Sequence, residues 1–181
     1  QHISRLFQYN TREISKKNVE IHYDIGNDLY EKMLGKTMGY TCAYYYKPNM
    51  TLDEAQIAKF ELVARKLHLK EGMTVLDMGC GWGQQAKYIA DKYKVTILAV
   101  SLSKEQINWA NENNKSDRVT YKLMDYRDVK GKFDRVYSIG MLEHVGLNNY
   151  PVFFNKSYDV LKDDGILLVH FISTNPPKAK L

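Results

Sequence analysis

A chain of 181 residues, 44% hydrophobic and 26% charged, is sized for one domain with a real core, and it shows no repeat or low-complexity tract. Its net charge of +5 and pI near 9.0 come from scattered basic residues, clustered only at "SKKN" (residues 15–18) and "PPKAK" (residues 176–180). No aromatic and basic residues interleave as in a nucleic-acid groove, so nucleic acid is not expected, and an anionic membrane surface is the sharper alternative to plain solvation. Apolar runs such as "GILLVHFI" (residues 165–172) are far short of the roughly 18 residues a membrane span needs. Cys42 and Cys80 are too few for a disulfide framework and too isolated for zinc, so no metal is expected. No charged-then-apolar leader opens the chain, which makes a reducing cytoplasm the expectation. The first residue is Gln1 rather than Met, so an upstream leader or domain stays open.

The elements follow in chain order. Before residue 50 the sequence is aromatic and irregular, with a short helix expected over Asn27–Leu34. The segment "TLDEAQIAKFELVARKLHL" reads as an amphipathic helix, because Ile57, Phe60, Ala64 and Leu67 recur at helical spacing. Thr51 with Glu54 forms a capping-box start, and "KEG" (residues 70–72) ends the helix. Strand and helix then alternate: strand Thr74–Met78, helix Gln84–Tyr93, strand Val95–Val100, helix Lys104–Asn113, strand Val119–Met124. A loop, strand Phe133–Ile139, helix Asn148–Leu161 and strand Gly165–Phe171 complete the series. Short strands rich in Val, Ile and Leu, separated by helices, indicate a parallel sheet covered on both faces. The expected fold is a doubly wound, Rossmann-like α/β sheet with an N-terminal helical extension.

In such a sheet a ligand lies beyond the carboxyl ends of the strands. "VLDMGCGWG" (residues 75–83) is the end of the first strand and the turn into the first helix. Gly79 and Gly81 allow close approach of the backbone, and the helix start favours a polar ligand. The third glycine falls at Gly83, not where a dinucleotide fingerprint requires it. G-x-G-x-G with Asp77 two residues ahead suits S-adenosylmethionine, whose positively charged aminoacyl end lies over this turn. The second strand ends in "AVSLSKEQ" (residues 99–106), without the acid that commonly grips a ribose. There Ser103 and Gln106 read both as a capping box and as residues facing the ligand crevice.

The missing acid, "HYDIGNDLYEKML" (residues 22–34), "YTCAYY" (residues 40–45) and "GMLEHVG" (residues 140–146) together resemble one family. It is the cyclopropane-fatty-acid synthases, including the mycolic-acid cyclopropane synthases, and the likeness runs from about His22 to Ile172. The resemblance implies class I methyltransferase chemistry on lipid. The methyl of S-adenosylmethionine goes to a cis double bond of an unsaturated acyl chain, and the resulting carbocation loses a proton and closes to a cyclopropane. It also implies a bound bicarbonate ion as base, held by residues matching Cys42 (chiefly its backbone), Glu143 and His170. For the cofactor it implies Tyr40 and Thr41 at the methionine end, with Asp77, Gly79 and Gly81 in the first loop. Ser101, Leu102 and Gln106 then lie near ribose and adenine, and Asp125 and Tyr126 at the adenine ring. His22 and Tyr23 either line the acyl entrance or pack the extension.

By the same resemblance, residues 1–70 form a helical extension over the active site and residues 71–181 a C-terminally incomplete cofactor-binding core, one structural domain in all. Family members continue with two more strands, helices over the acyl pocket and a tyrosine at the bicarbonate site. The edge strand left exposed would make an isolated 181-residue chain prone to self-association and inactive on lipid. The implied partner is an unsaturated phospholipid, met peripherally at the membrane by a cytoplasmic protein, and a homodimer is compatible with the sequence. Two other readings are a methyltransferase acting on a small amine or phenol and a non-catalytic cofactor-binding fragment.

Overall fold

Five short strands carry the architecture: β1 (Thr74–Met78), β2 (Thr96–Ser101), β3 (Val119–Leu123), β4 (Phe133–Ile139) and β5 (Leu161–His170). In the computed structural model, which describes residues 11–14 and 27–173, they form one sheet in the order β3-β2-β1-β4-β5. All four pairings are parallel. The basic stretches 15–18 and 176–180, and His22 and Tyr23 of the N-terminal motif, lie outside the described residues. Parallel strands need crossovers, which here are mostly helices: α3 (Gln84–Tyr93), α4 (Lys104–Asn113), and, between β4 and β5, the short α5 (Leu142–Val145) with α6 (Tyr150–Val160). Two further helices, α1 (Asn27–Leu34) and α2 (Leu52–Lys66), precede the sheet.

Alternation along the strands divides the core in two. Val75, Ile97, Ala99 and Tyr137 face α2, α3 and α4, where Val63, Leu67, Ile89 and Ile107 meet them. Leu76, Met78, Val100 and Val136 face the opposite way, toward Leu142, Phe153 and Val160 of α5 and α6. A third cluster joins Tyr30, Leu34 and Met38 to Trp82 of the glycine turn. The order reverses around β1, which opens a crevice beyond its carboxyl end. Among the described residues no helix is long and apolar enough to cross a membrane.

Several boundaries differ from expectation, by one or two residues at β2, β3, α6 and the end of β5 and by four at the start of β5. Helix α6 begins at Tyr150 rather than Asn148, after a 3-10 turn over Leu147–Asn149, with Pro151 in its first turn. Strand β5 reaches back to Leu161 through an irregularity: β4 advances from Phe133 to Arg135 while β5 advances from Leu161 to Ile166. Gly165 closes that bulge, packed so tightly against Leu161 and the Lys162 carbonyl that no side chain fits. Strand β2 starts one residue later than expected and ends at Ser101, which pairs with Leu123. The capping box of α2 is complete, since the Thr51 amide donates to Glu54 Oε2 at 2.8 Å and the Glu54 amide donates to Thr51 Oγ1.

Candidate active site

A cavity with about 290 Å³ of room opens beyond β1, between the glycine turn and the segment that links α1 to α2. Its wall includes Tyr40, Thr41, Asp77, Gly79, Gly81, Ser101, Leu102, Gln106 and Tyr126, nine of the ten expected cofactor-binding residues. The glycines of the turn have different jobs. Gly81 (φ +54°) faces open space, so the backbone there is exposed to whatever fills the cavity. Gly83 (φ +81°) is needed for packing instead: a side chain would run into the Tyr121 ring and Ala110. The amides of Gly79 and Cys80 both donate to the Val100 carbonyl, which ties the turn to β2.

Asp77 and Tyr137 are register partners on β1 and β4, so their side chains share a face. Tyr137 Oη donates to Asp77 Oδ2 at 2.8 Å, and both residues are buried. Burial pushes the Asp77 carboxyl up to about 7, against the opposing pull of the Tyr137 bond. Such a carboxyl gains full charge when a cation docks beside it. At the end of β2, Ser103 caps α4 by accepting from the Gln106 amide. The Gln106 side chain does not close the box; its Oε1 accepts from Ser101 Oγ at 3.0 Å, and both residues line the cavity. The tenth residue, Asp125, is not part of the wall. Its carboxylate is bound by the amide, Nε and Nη2 of Arg127, and these bonds outweigh burial to hold it below the usual range. Tyr126 and Arg127 present the cavity surface at that point instead.

Three separate segments bear the residues expected at the base end, and of Cys42, Glu143 and His170 only Glu143 lines the cavity wall. Glu143 on α5 lines the wall, and its Oε1 accepts from the Ile172 amide at 2.7 Å, two residues past His170. The His170 carbonyl accepts from the amide of Gly140, another wall residue. Burial and the nearby Lys59 charge lower the His170 pKa, and Glu143 pulls it the other way. The lowered pKa favours the neutral imidazole, and its buried Nδ1 has no hydrogen-bond partner among the described residues. An unpartnered buried imidazole nitrogen can hydrogen-bond a small polar guest. Cys42 lies at the surface, and its carbonyl, not its thiol, is engaged: Lys59 Nζ donates to it at 2.9 Å.

Sequence reasoning missed the polar residues of α2. Gln56 Nε2 donates to the carbonyls of Gly39 and Thr41, and Lys59 Nζ donates to Thr41 Oγ1. Both are buried on the stripe that carries Phe60 and Val63. A polar residue on an apolar helical stripe was the available signal. Trp82 was missed too: it is buried against Tyr30 and Tyr40, and its indole donates to Asn27 Oδ1, locking α1 onto the glycine turn. Thr37 Oγ1 and Gln85 Nε2 are buried without partners among the described residues, and both residues line the cavity, as expected of a site made for a polar ligand.

The mycolic acid cyclopropane synthetase family model matches residues 10–180. The chain is 44% identical over 171 residues to cyclopropane-fatty-acyl-phospholipid synthase of Escherichia coli K12, covering 94% of this chain and 44% of that enzyme. It is 41% identical over 167 residues to cyclopropane mycolic acid synthase 1 of Mycobacterium tuberculosis, covering 89% of this chain and 58% of the relative. The crystal structure of mycolic acid cyclopropane synthase CmaA1 complexed with SAH and CTAB superposes with a TM-score of 0.81 at 39% identity, covering 85% of this chain and 55% of the other. The chain thus spans about half the length of the curated relatives it matches. With its parallel α/β sheet of the methyltransferase type, the chain belongs to the mycolic acid cyclopropane synthetase family.

Proposed function

We propose that this chain carries the cofactor site and the base site of an enzyme that converts a cis double bond of an unsaturated phospholipid acyl chain into a cyclopropane, with S-adenosylmethionine as methyl donor. The observation that carries the reading is one cavity walled by both the glycine turn of β1 and Glu143, with His170 on the segment whose backbone is hydrogen-bonded to Gly140 and Glu143 of that wall. Bound there, S-adenosylmethionine would supply an electrophilic methyl carbon, and bicarbonate a proton acceptor.

The chain's own residues have distinct tasks. Asp77, ionised by an approaching cation and held by Tyr137, binds the positively charged aminoacyl end. Ser101 and Gln106 offer polar atoms to the ribose, and Tyr126 covers the base. Ile139, Met141 and Val145 keep the wall apolar, which suits an alkene and a cationic carbon that water would trap. Glu143 and His170 hold the anion that accepts the proton. The alkene gains a methyl carbon and the product loses one proton on ring closure, a net gain of CH2.

Phospholipid, rather than another acyl substrate, is favoured by the likeness to the E. coli enzyme, whose name specifies it. Incubating the intact enzyme with methyl-labelled S-adenosylmethionine and vesicles of a monounsaturated phospholipid tests the reading. Labelled acyl chains heavier by CH2 that resist hydrogenation as alkenes are expected. Label found only in a small amine or phenol would overturn the proposal.

A further inference from the structure

Lys59 is a buried lysine whose pKa burial lowers from the ordinary value. It sits on α2 and is 4% exposed, and no carboxylate lies within 4.0 Å of it among the described residues. Its ammonium donates to Thr41 Oγ1 at 3.0 Å and to the Cys42 carbonyl at 2.9 Å, both neutral acceptors. A buried ammonium normally finds a counter-ion or loses its proton, and it has three N–H bonds to give. Here two are given to one short segment and no third acceptor is found among the described residues.

A chain of contacts leads from that segment to the base site. The Thr41 methyl stands against Gly140, close enough that a side chain at Gly140 would press on it. The Gly140 amide donates to the His170 carbonyl, and Glu143 is bonded to the backbone two residues further on. Between these residues there is a problem of charge. Glu143 is acidic and the neutral form of His170 is favoured, so a second anion admitted beside them would be repelled. A cation has to offset that repulsion. Lys59 is the buried lysine whose charge acts on His170, and Lys66, also on α2, is exposed.

We propose that Lys59 is a positioning residue that pins Thr41 and the Cys42 backbone to α2 and supplies the buried positive charge that lets an anion bind beside Glu143 and His170. The inference rests on the proposed base site but not on the lipid substrate. Gln56 is the uncharged half of the clamp, through its bonds to Gly39 and Thr41. The charged groups acting on His170 are Lys59, Glu143 and Lys66, so removing one has a definite sign.

The test compares Lys59→Met, which keeps the alkyl stem, with Lys59→Arg, which keeps the charge, and with Gln56→Ala, which loosens the clamp alone. All are made in the intact enzyme, with folding checked by thermal melting. The first readout is the titration of His170 by NMR in bicarbonate-free buffer, which needs no turnover. The His170 pKa should rise in Lys59→Met and stay near its parent value in Lys59→Arg and Gln56→Ala. The second readout is carbon-13 bicarbonate binding, expected to weaken by roughly tenfold or more in Lys59→Met only. If His170 titrates and bicarbonate binds alike in the parent and in Lys59→Met, or if Lys59→Met and Gln56→Ala behave the same, the charge role is overturned. Should the vesicle assay fail while the titration follows this pattern, the substrate reading falls and the role of Lys59 stands. If Lys59→Met does not fold, Lys59→Arg with unaltered His170 titration and bicarbonate affinity supports the role, and a loss of affinity in that variant contradicts it.

Discussion

The two ends of the cavity are built differently. At the glycine turn most polar groups have partners within the fold: Asp77 with Tyr137, Ser101 with Gln106, and the Gly79 and Cys80 amides with Val100, Gln85 Nε2 being the exception among the described residues. The base end is looser. His170 Nδ1 is unpartnered, Lys59 is buried without a counter-ion among the described residues, and β5 is only half-buried along its length from Gly165 to His170. A satisfied end can be rigid before any ligand arrives. An end with unpaired donors and charges is stable only when something else completes it. On the proposed reading, the first end binds the cofactor and the second serves the later proton transfer.

The sharpest way to break this contrast is at Gly83. An alanine there meets the Tyr121 ring, whose hydroxyl is already bonded to the Gly83 and Asn114 carbonyls, and must hold φ near +81°. Gly83→Ala should lower unfolding free energy by about 3 kcal/mol in urea melts. His170→Ala, at the looser end, should change it far less. Equal losses would mean that the glycine turn is no more closely built than the base end.

Next in size is Asp77. Asp77→Ala should weaken S-adenosylmethionine binding by roughly tenfold or more in titration calorimetry, through loss of a charge-assisted contact. Its pH dependence carries a sign. With the folded-state carboxyl at about 7, Asp77 is largely protonated at pH 6 and ionised at pH 8, so affinity should rise several-fold across that range. Stability runs the other way. A raised folded-state pKa adds stability that is fully present below the unfolded carboxyl value of about 4, and that stability is lost as pH rises through about 7. Asp77→Asn should therefore flatten both profiles, and the cofactor-free variant should melt higher than the parent at pH 8. A pH-independent affinity in the parent would place the cation elsewhere.

The smallest effect concerns the helix that bears the clamp. Thr51→Ala removes the capping box and should cost about 1 kcal/mol in thermal or urea unfolding, while Gln56 and Lys59, one and two turns further in, keep their bonds. A loss of cofactor affinity larger than the stability loss would show that the clamp depends on the cap.

These contrasts also mark what the sequence revealed and what it concealed. Strands β1 and β4 and helices α1, α3 and α4 were legible to the residue, because period, caps and turn residues are local signals. The glycine turn of β1 was legible too, since strand ends converge at the switch point, whereas the cofactor roles of Tyr40, Thr41, Ser101, Leu102, Gln106 and Tyr126 came from the family resemblance. Lys59 and Gln56 were hidden because their partners are 15 to 18 residues away, on a segment with no regular period. Asp125 was placed at the adenine ring by the resemblance, and no local pattern could show that Arg127, two residues on, takes both its oxygens. The start of β5 was misplaced because a bulge is a property of pairing with β4, not of β5 alone.

The central claim is that the two ends of one cavity do separate jobs, and Glu143→Gln tests it most directly. Glutamine keeps an oxygen for the Ile172 amide and removes only the charge. Measured in one preparation of the intact enzyme, S-adenosylmethionine affinity should stay within about twofold of the parent while turnover on unsaturated phospholipid vesicles falls by roughly a hundredfold or more. Turnover that survives, or that falls only in step with cofactor affinity, would contradict the account.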